Sequence, residues 1–412
     1  MTTLIKQATI ISPSSSWHNK QADLLIEDGI IKEISTEVKA SVDHTIEEKD
    51  LHVSIGWFDL RANYGEPGEE HKETIHTGLK AAQAGGFTGV GILPNTTQPA
   101  DKATTIDFIK NRPVKSTVER YPYGALSEHL KGKDLAEMAD MSSKGAIGFT
   151  DDKNYVNTSL ISRGMLYAKT FNHFVSVFPS NNYLSNGHVH EGIVSTKMGL
   201  KGIPVLAETM EIEKYISLAA YHDAPIHFST ISTAKSVELI REAKKKGLNI
   251  TCDVAAHQLY FTDEATKSYD ANFKVNPPFR SKNDIDGLIQ GLKDGTIDAI
   301  CSDHQPHDIE SKRLEFEYAS FGIIGQETAF GALYKVLKSH LSLEKIIELI
   351  TENPRQILRL DIPKIAEGEK ANLTLFSPST TWRFEEKHIQ SLSKNTPFIG
   401  EELTGKVIDI IV

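Results

Sequence analysis

The stretch "SIGWFDLRANYGEPGEEHKETI", Ser54–Ile75, decides the fold of this chain. Its apolar run near 55–60 reads as a buried strand, and Asp59 sits inside that run. Gly65-Glu66-Pro67-Gly68 then turns the chain sharply, and "EEHKETIHTGLKAAQAG" opens a helix. Working outward, the same rhythm recurs. Strands are expected near 55–60, 88–93, 120–125, 146–150, 174–178, 225–230, 249–254 and 298–302. Amphipathic helical segments separate most of them. In "AKSVELIREAKKKG", Val237, Ile240 and Ala243 share one face, the basic residues lie opposite, and Gly247 ends the helix. Eight strand–helix units with nearly continuous apolar strands predict an α/β fold, a (β/α)8 barrel. An open doubly wound sheet fits less well, because no Gly-rich dinucleotide fingerprint follows the first strand.

Both chain ends read differently. "TLIKQATIIS" and "ADLLIEDGIIKEIS" alternate apolar and polar residues, with a hairpin signal at Glu27-Asp28-Gly29. "ANLTLFSP" and "GKVIDIIV" return to this style near the end. The expected organisation is a small β domain, a sandwich built from residues 1–53 and 361–412, around a barrel of residues 54–360.

The chain has 412 residues, a formal net charge of -10 and 39% apolar residues, with no long apolar run. That balance argues against nucleic acid or an anionic membrane as partner. "MTTLIKQATIISPSSS" lacks the pattern of a secretory signal, so a cytoplasmic protein is expected. Cys252 and Cys301 lie in apolar runs and read as reduced, buried thiols.

A barrel carries its chemistry where the strands end. The residues there include Asp59, Arg61 and Asn63 after strand one, Asn95 after strand two, and Asp151-Asp152-Lys153 after strand four. Val177 and Phe178 follow on strand five, Thr230 on strand six, His257 after strand seven, and "SDHQPHD", Ser302–Asp308, after strand eight. Asp151 and Asp152 could equally cap a turn, and His257 and His304 could be wall residues. Asp303 is harder to explain that way, since a carboxylate buried at a barrel mouth needs a cation or a substrate proton beside it.

From about Ala8 to Val407 the chain resembles the type I dihydroorotases of the amidohydrolase superfamily. The resemblance is carried by "GEPGEEHKETI", "AAQAGGFTGV", "LPNTTQP", "GAIGFTDD", "HVHEG", "STISTAKSVELIREAKKKG", "KVNPPFRSK", "DGTIDAICSDHQPH", "FGIIGQETAF" and "NTPFIGEELTGKV". It implies a zinc-activated hydroxide acting on the cyclic amide of dihydroorotate in pyrimidine biosynthesis. It also implies four histidine and two aspartate ligands. At the matching positions this chain has Arg61, Asn63, Val177 and Thr230 in place of the histidines. Asp152 and Asp303 match the aspartates, and Asp303 also matches the proton shuttle. The arginine that grips the substrate carboxylate becomes Gly65, while Asn95, Asn276 and His307 match substrate-binding positions. "FGIIG", Phe321–Gly325, matches the loop that covers the substrate. His188 and His190 of "HVHEG" match a segment that does not bind metal in active relatives.

The resemblance therefore implies a metal-free, degenerate dihydroorotase that needs no cofactor. Its expected role is a non-catalytic partner of aspartate carbamoyltransferase, with a homo-oligomer as a further expectation. The rivals are an active cyclic-amide hydrolase with an altered centre and a metal-free module that binds a small ligand. Without zinc, two buried carboxylates would repel each other. Arg61, at the first lost ligand position, is expected to replace the metal as the central cation, bonded to Asp152, Asp303 or both, the alternative being that it extends to solvent past Tyr64.

Overall fold

The computed structural model describes residues 2–412. Trp57–Ala62, Phe87–Ile92 and Glu119–Pro122 pair in parallel and form the first three strands of a barrel. Val175–Val177, Ile226–Phe228, Ile250–Ala255 and Ala299–Cys301 form a second parallel set. Phe149 joins the two sets by pairing with Gly124 on one side and Val175 on the other, and Ala62 pairs with His304 to close the ring. The strand expected at 146–150 is thus reduced to single bridges at Phe149, yet it remains bonded on both sides: Ile147 N–H donates to Pro122 O and Phe149 N–H to Phe174 O. The strands read as continuous apolar runs because both of their faces are covered; every residue of Trp57–Ala62 and Phe87–Ile92 is buried. Phe58, Leu60, Leu93, Tyr123, Phe174 and Cys301 pack in one buried cluster contributed by strands around the ring.

Asp59 staples the ring at its closing point. Its carboxylate accepts the N–H of Ser302 at 2.9 Å, the Ser302 hydroxyl at 2.6 Å and Gln326 Nε2 at 3.0 Å. These bonds tie the first strand to the segment after the eighth. Helices cover the outside, among them Ile75–Ala84, Thr158–Thr170, Leu206–His222, Ala234–Lys245 and Lys282–Lys293. The helix that follows the opening stretch begins later than its sequence suggests, at Ile75, because Thr74 and Thr77 form a reciprocal cap there.

Both chain ends meet in one seven-stranded sheet. Its order is Glu402–Ile411, Leu373–Arg383, His52–Ile55, Thr2–Ile11, Gln21–Glu27 and Ile30–Ser35, with His44–Ile46 also paired to Thr2–Ile11. The hairpin at Asp28-Gly29 has positive φ at both residues, 49° and 77°, as a tight two-residue turn between twisted strands requires. Ile5, Ile10, Leu24, Val53, Leu373 and Leu375 fill its core. Gly56 marks the passage into the barrel, with its N–H bonded to Asn372 O. Cys252 and Cys301 are both buried and free. Among the described residues no helix is long and apolar enough to cross a membrane.

The polar segment between the last two strands lies against the barrel. Buried Glu73 accepts Leu392 N–H at 3.0 Å, and Glu327 accepts the N–H groups of Gln390 and Ser391. Asn395 accepts His307 N–H and donates to Gln305 O and Gly322 O. One side chain thus fixes the loop after strand eight and the segment that begins "FGIIG".

Candidate functional site

The carboxylates of Asp152 and Asp303 share one guanidinium. Arg61 leaves the end of the first strand and donates from Nε to Asp303 Oδ1 at 2.6 Å and from Nη2 to Asp152 Oδ1. The bridge expected from the sequence is present. All three side chains are at least 96% buried, at 3%, 2% and 4% exposure, so solvent screens little of this attraction. Nη1 adds a bond to Ser229 Oγ at 3.3 Å, and Ser229 in turn donates to buried Asp253. Asp152 and Asp303 both have left-handed backbones, with φ of 52° and 46°. Aspartate tolerates this geometry better than most residues.

A second cation completes the cluster. Lys153 Nζ donates to Asp303 Oδ2 at 3.2 Å and lies 5.4 Å from the centre of the Phe178 ring. Two carboxylates thus face two cations. The remaining carboxylate oxygen, Asp152 Oδ2, accepts Asn95 Nδ2 at 2.8 Å, and Asp303 Oδ1 accepts Gln305 Nε2 at 2.8 Å in addition to Arg61. Burial alone would raise the Asp303 carboxyl, but Lys153 and Arg61 beside it hold it down at about 2. Burial also disfavours a charge on Arg61, yet Asp152 and Asp303 raise its pKa above the usual arginine value. Lys153 moves down, through burial and the nearby Arg61, against the pull of Asp303.

The other sequence candidates divide. Asp151 is a cap: it accepts the N–H groups of Leu126 and Ser127 and the Ser127 hydroxyl. Asn63, Val177 and Thr230 offer an amide, an isopropyl group and a hydroxyl at the other expected ligand positions; Asn63 Oδ1 and Thr230 Oγ1 are buried and unpaired among the described residues. His304 is a wall residue, with Nδ1 accepting Gly325 N–H and Nε2 3.4 Å from Glu73. His257 is buried against Phe279, and neither ring nitrogen has a partner among the described residues. His190 Nδ1 accepts from Arg280 Nη1 at 3.2 Å, and His188 is 3.9 Å from Glu317, so "HVHEG" does not converge on a common ligand. Among the described residues no group of three or more histidine, cysteine or acidic side chains could hold a metal ion.

The substrate-type residues do not share one cavity. Asn276 lines a polar space of about 60 Å³ with Asp152, Lys153 and Val177. Asn95 is engaged with Asp152. His307 donates from Nε2 to Phe321 O at 2.8 Å and faces a separate space of about 560 Å³ with Lys312 and Asn395. A Cβ at Gly65 would lie 2.2 Å from Glu69 O and 2.9 Å from Glu73 O, so the turn excludes any side chain there. Lys153 and Gln305 belong to the charge cluster but carried no separate signal in the sequence. Lys153 follows two acids in the chain, and only the fold reveals that it pairs with neither of them but with Asp303.

Two measurements test this geometry. Arg61→Ala strands two buried acids and should lower stability by on the order of 3–5 kcal/mol in urea denaturation; a variant as stable as the parent would refute the bridge. Acid should also destabilise the fold in two stages. Burial keeps His190, His257 and His307 at about 4 against a usual 6.5, so the unfolded chain binds more protons and stability falls from about pH 6.5 to 4. Asp303, at about 2 against a usual 3.8, stabilises above pH 3.8 and loses that contribution as pH falls through 2. A urea midpoint that is flat between pH 7 and pH 4 would count against the burial of these groups.

Comparisons with known proteins agree with this architecture. The dihydro-orotase-like family matches residues 52–236. A dihydroorotase of Carboxydothermus hydrogenoformans is 40% identical, over 98% of this chain and 94% of its own. A dihydroorotase of Geobacter metallireducens is 38% identical, over 100% of this chain and 98% of its own. The L-hydantoinase (dihydropyrimidinase) of Arthrobacter aurescens superposes with a TM-score of 0.87 at 22% identity, over 100% of this chain and 94% of its own, a likeness of fold. By its full-length similarity to these dihydroorotases, the chain belongs to the dihydroorotase family.

Proposed function

We propose that this protein is a dihydroorotase-family subunit of pyrimidine biosynthesis that has given up zinc-dependent hydrolysis. The observation that carries the reading is the Arg61 guanidinium bonded to both Asp152 and Asp303. A divalent zinc ion placed between those acids would have to displace a buried cation and would find no imidazole at the four positions where the resemblance places one. The donor set of Arg61, Asn63, Val177 and Thr230 does not fit zinc. Hydrolysis of a cyclic amide then lacks its usual source of a nucleophile, since water away from a metal has a pKa of about 15.7 instead of about 7.

The role that remains is structural. The partner we propose is aspartate carbamoyltransferase, whose assembly this barrel would support. The second reading is an active dihydroorotase with an altered centre, and the near full-length identity to curated dihydroorotases favours it.

Metal analysis and turnover separate the two. Protein purified without chelator should hold below about 0.2 equivalents of zinc, because the imidazoles that make such a site strong are missing. Dihydroorotate hydrolysis should not exceed a no-enzyme control. One chelatable zinc per chain, or turnover in the range of about 1–1000 per second, establishes the second reading instead. Mixing the chain with aspartate carbamoyltransferase should give a larger species in sedimentation; separate boundaries at micromolar concentrations would remove that partner.

A further inference from the structure

At the opposite end of the strands from the charge cluster, a cavity of about 540 Å³ is lined by Phe58, Gly89, Tyr121, Arg355 and Asn372, between the barrel and the terminal sheet. Arg355 is 4% exposed. Its guanidinium lies 5.5 Å from the centre of the Phe58 ring, which itself packs against Tyr121 at 5.1 Å. Nη1 donates to Thr351 O at 2.9 Å, and Nη2 makes a long bond of 3.4 Å to Thr88 Oγ1. A guanidinium has five N–H donors, so these contacts engage two of them. Among the described residues no carboxylate comes within ion-pair distance of it. This sets it apart from Arg61, which has two.

The other charged residues on the cavity do not balance it. Lys364, Lys370, Glu119, Asp361 and Glu369 line it, and all five are exposed. Their charges are screened by solvent, whereas that of Arg355 is not. Glu119 also accepts the Tyr121 hydroxyl. Burial pulls the guanidinium down to about 10, and Tyr121, Glu119 and Glu352, none of them in an ion pair with it, only partly restore it. A buried cation with unused, fork-shaped donors beside a cavity matches a planar or tetrahedral oxyanion. The Phe58–Tyr121 pair supplies an apolar wall next to it.

We propose that this end of the barrel is an anion-binding site, in which Arg355 pairs with the oxyanion, carboxylate or phosphate, of a small ligand. The site is independent of the reading given for the barrel mouth, because it uses none of the residues there. It would let the protein sense a small anion whether or not the mouth is catalytic.

Calorimetric titration of the full chain tests this with two probes, inorganic phosphate and benzoate, against chloride at constant ionic strength. At least one oxyanion should bind saturably at one site per chain. Arg355→Gln and Arg355→Lys should each weaken that binding at least about tenfold, since lysine keeps the charge but not the paired donors. If Arg355→Gln does not fold, the comparison rests on Arg355→Lys, whose melting temperature without ligand should stay near that of the parent. Saturable binding by neither probe, or a folded Arg355→Lys that binds every probe the parent binds with equal strength, would overturn the site. Retained phosphate binding with lost benzoate binding in Arg355→Lys would identify the carboxylate as the group that Arg355 reads, and the reverse would identify phosphate.

Discussion

Two carboxylates converge on the mouth of this barrel, and the whole site follows from how their charge is met. Asp152 comes from the fourth segment and Asp303 from the eighth, both with left-handed backbones. Side by side and without a cation, one of them would take up a proton or the loops would move apart. A guanidinium from the first strand prevents this. Its planar fork presents Nε to one acid and Nη2 to the other, so a single side chain joins the first, fourth and eighth segments of the ring. Lys153 then brings the cluster to overall neutrality. Neutrality matters because isolated charges at this depth cost several kcal/mol each, and a closed set of pairs avoids most of that penalty.

The same cluster bears on function. A metal centre leaves open positions that polarise a substrate and activate water. Here every oxygen of both carboxylates already accepts a hydrogen bond, from Arg61, Lys153, Asn95 or Gln305. The unpaired buried groups among the described residues include the amide oxygens of Asn63 and Asn95, the Thr230 hydroxyl and both nitrogens of His257. Such groups can hold water or a neutral ligand, but none is a strong base, since burial keeps His257 at about 4.

Much of this was legible in the sequence because the signals were local or carried by charge. Strand–helix alternation gave the barrel, the Asp28-Gly29 turn gave the hairpin, and an arginine at a lost ligand position pointed to the acids it meets. The remainder depends on distances that no spacing encodes. Asp151 and Asp152 are neighbours in the chain, yet a reversal of the backbone sends one to cap residues 126–127 and the other to Arg61. Asn276 and His307 suggest one pocket, but the bond from His307 to Phe321 O turns its ring toward a different space. Arg355 sits in "ENPRQIL", a helix with nothing unusual in its pattern, and only the packing shows that it is buried and that Glu352, three residues earlier, forms no ion pair with it.

The turn beside the barrel mouth adds a steric constraint. Gly65 lies where the resemblance places the arginine that anchors a substrate carboxylate, and the turn around it has closed. Glu69 N–H donates to Gly65 O at 2.6 Å, and a Cβ at Gly65 would strike Glu69 O at 2.2 Å. A carbonyl held in a tight turn cannot yield as a flexible side chain could, so a larger residue there forces the backbone to move. Glu66 accepts Ile75 N–H, and Glu73 runs from this turn to Ser391 and Leu392, so that movement would spread to the helix and to the segment docked on the barrel. Restoring imidazoles at residues 61, 63, 177 and 230 would therefore rebuild donors for a metal while leaving the substrate anchor blocked. The donors at the strand ends and the space at Gly65 are thus set by separate parts of the structure, the first by side chains and the second by the backbone of one turn.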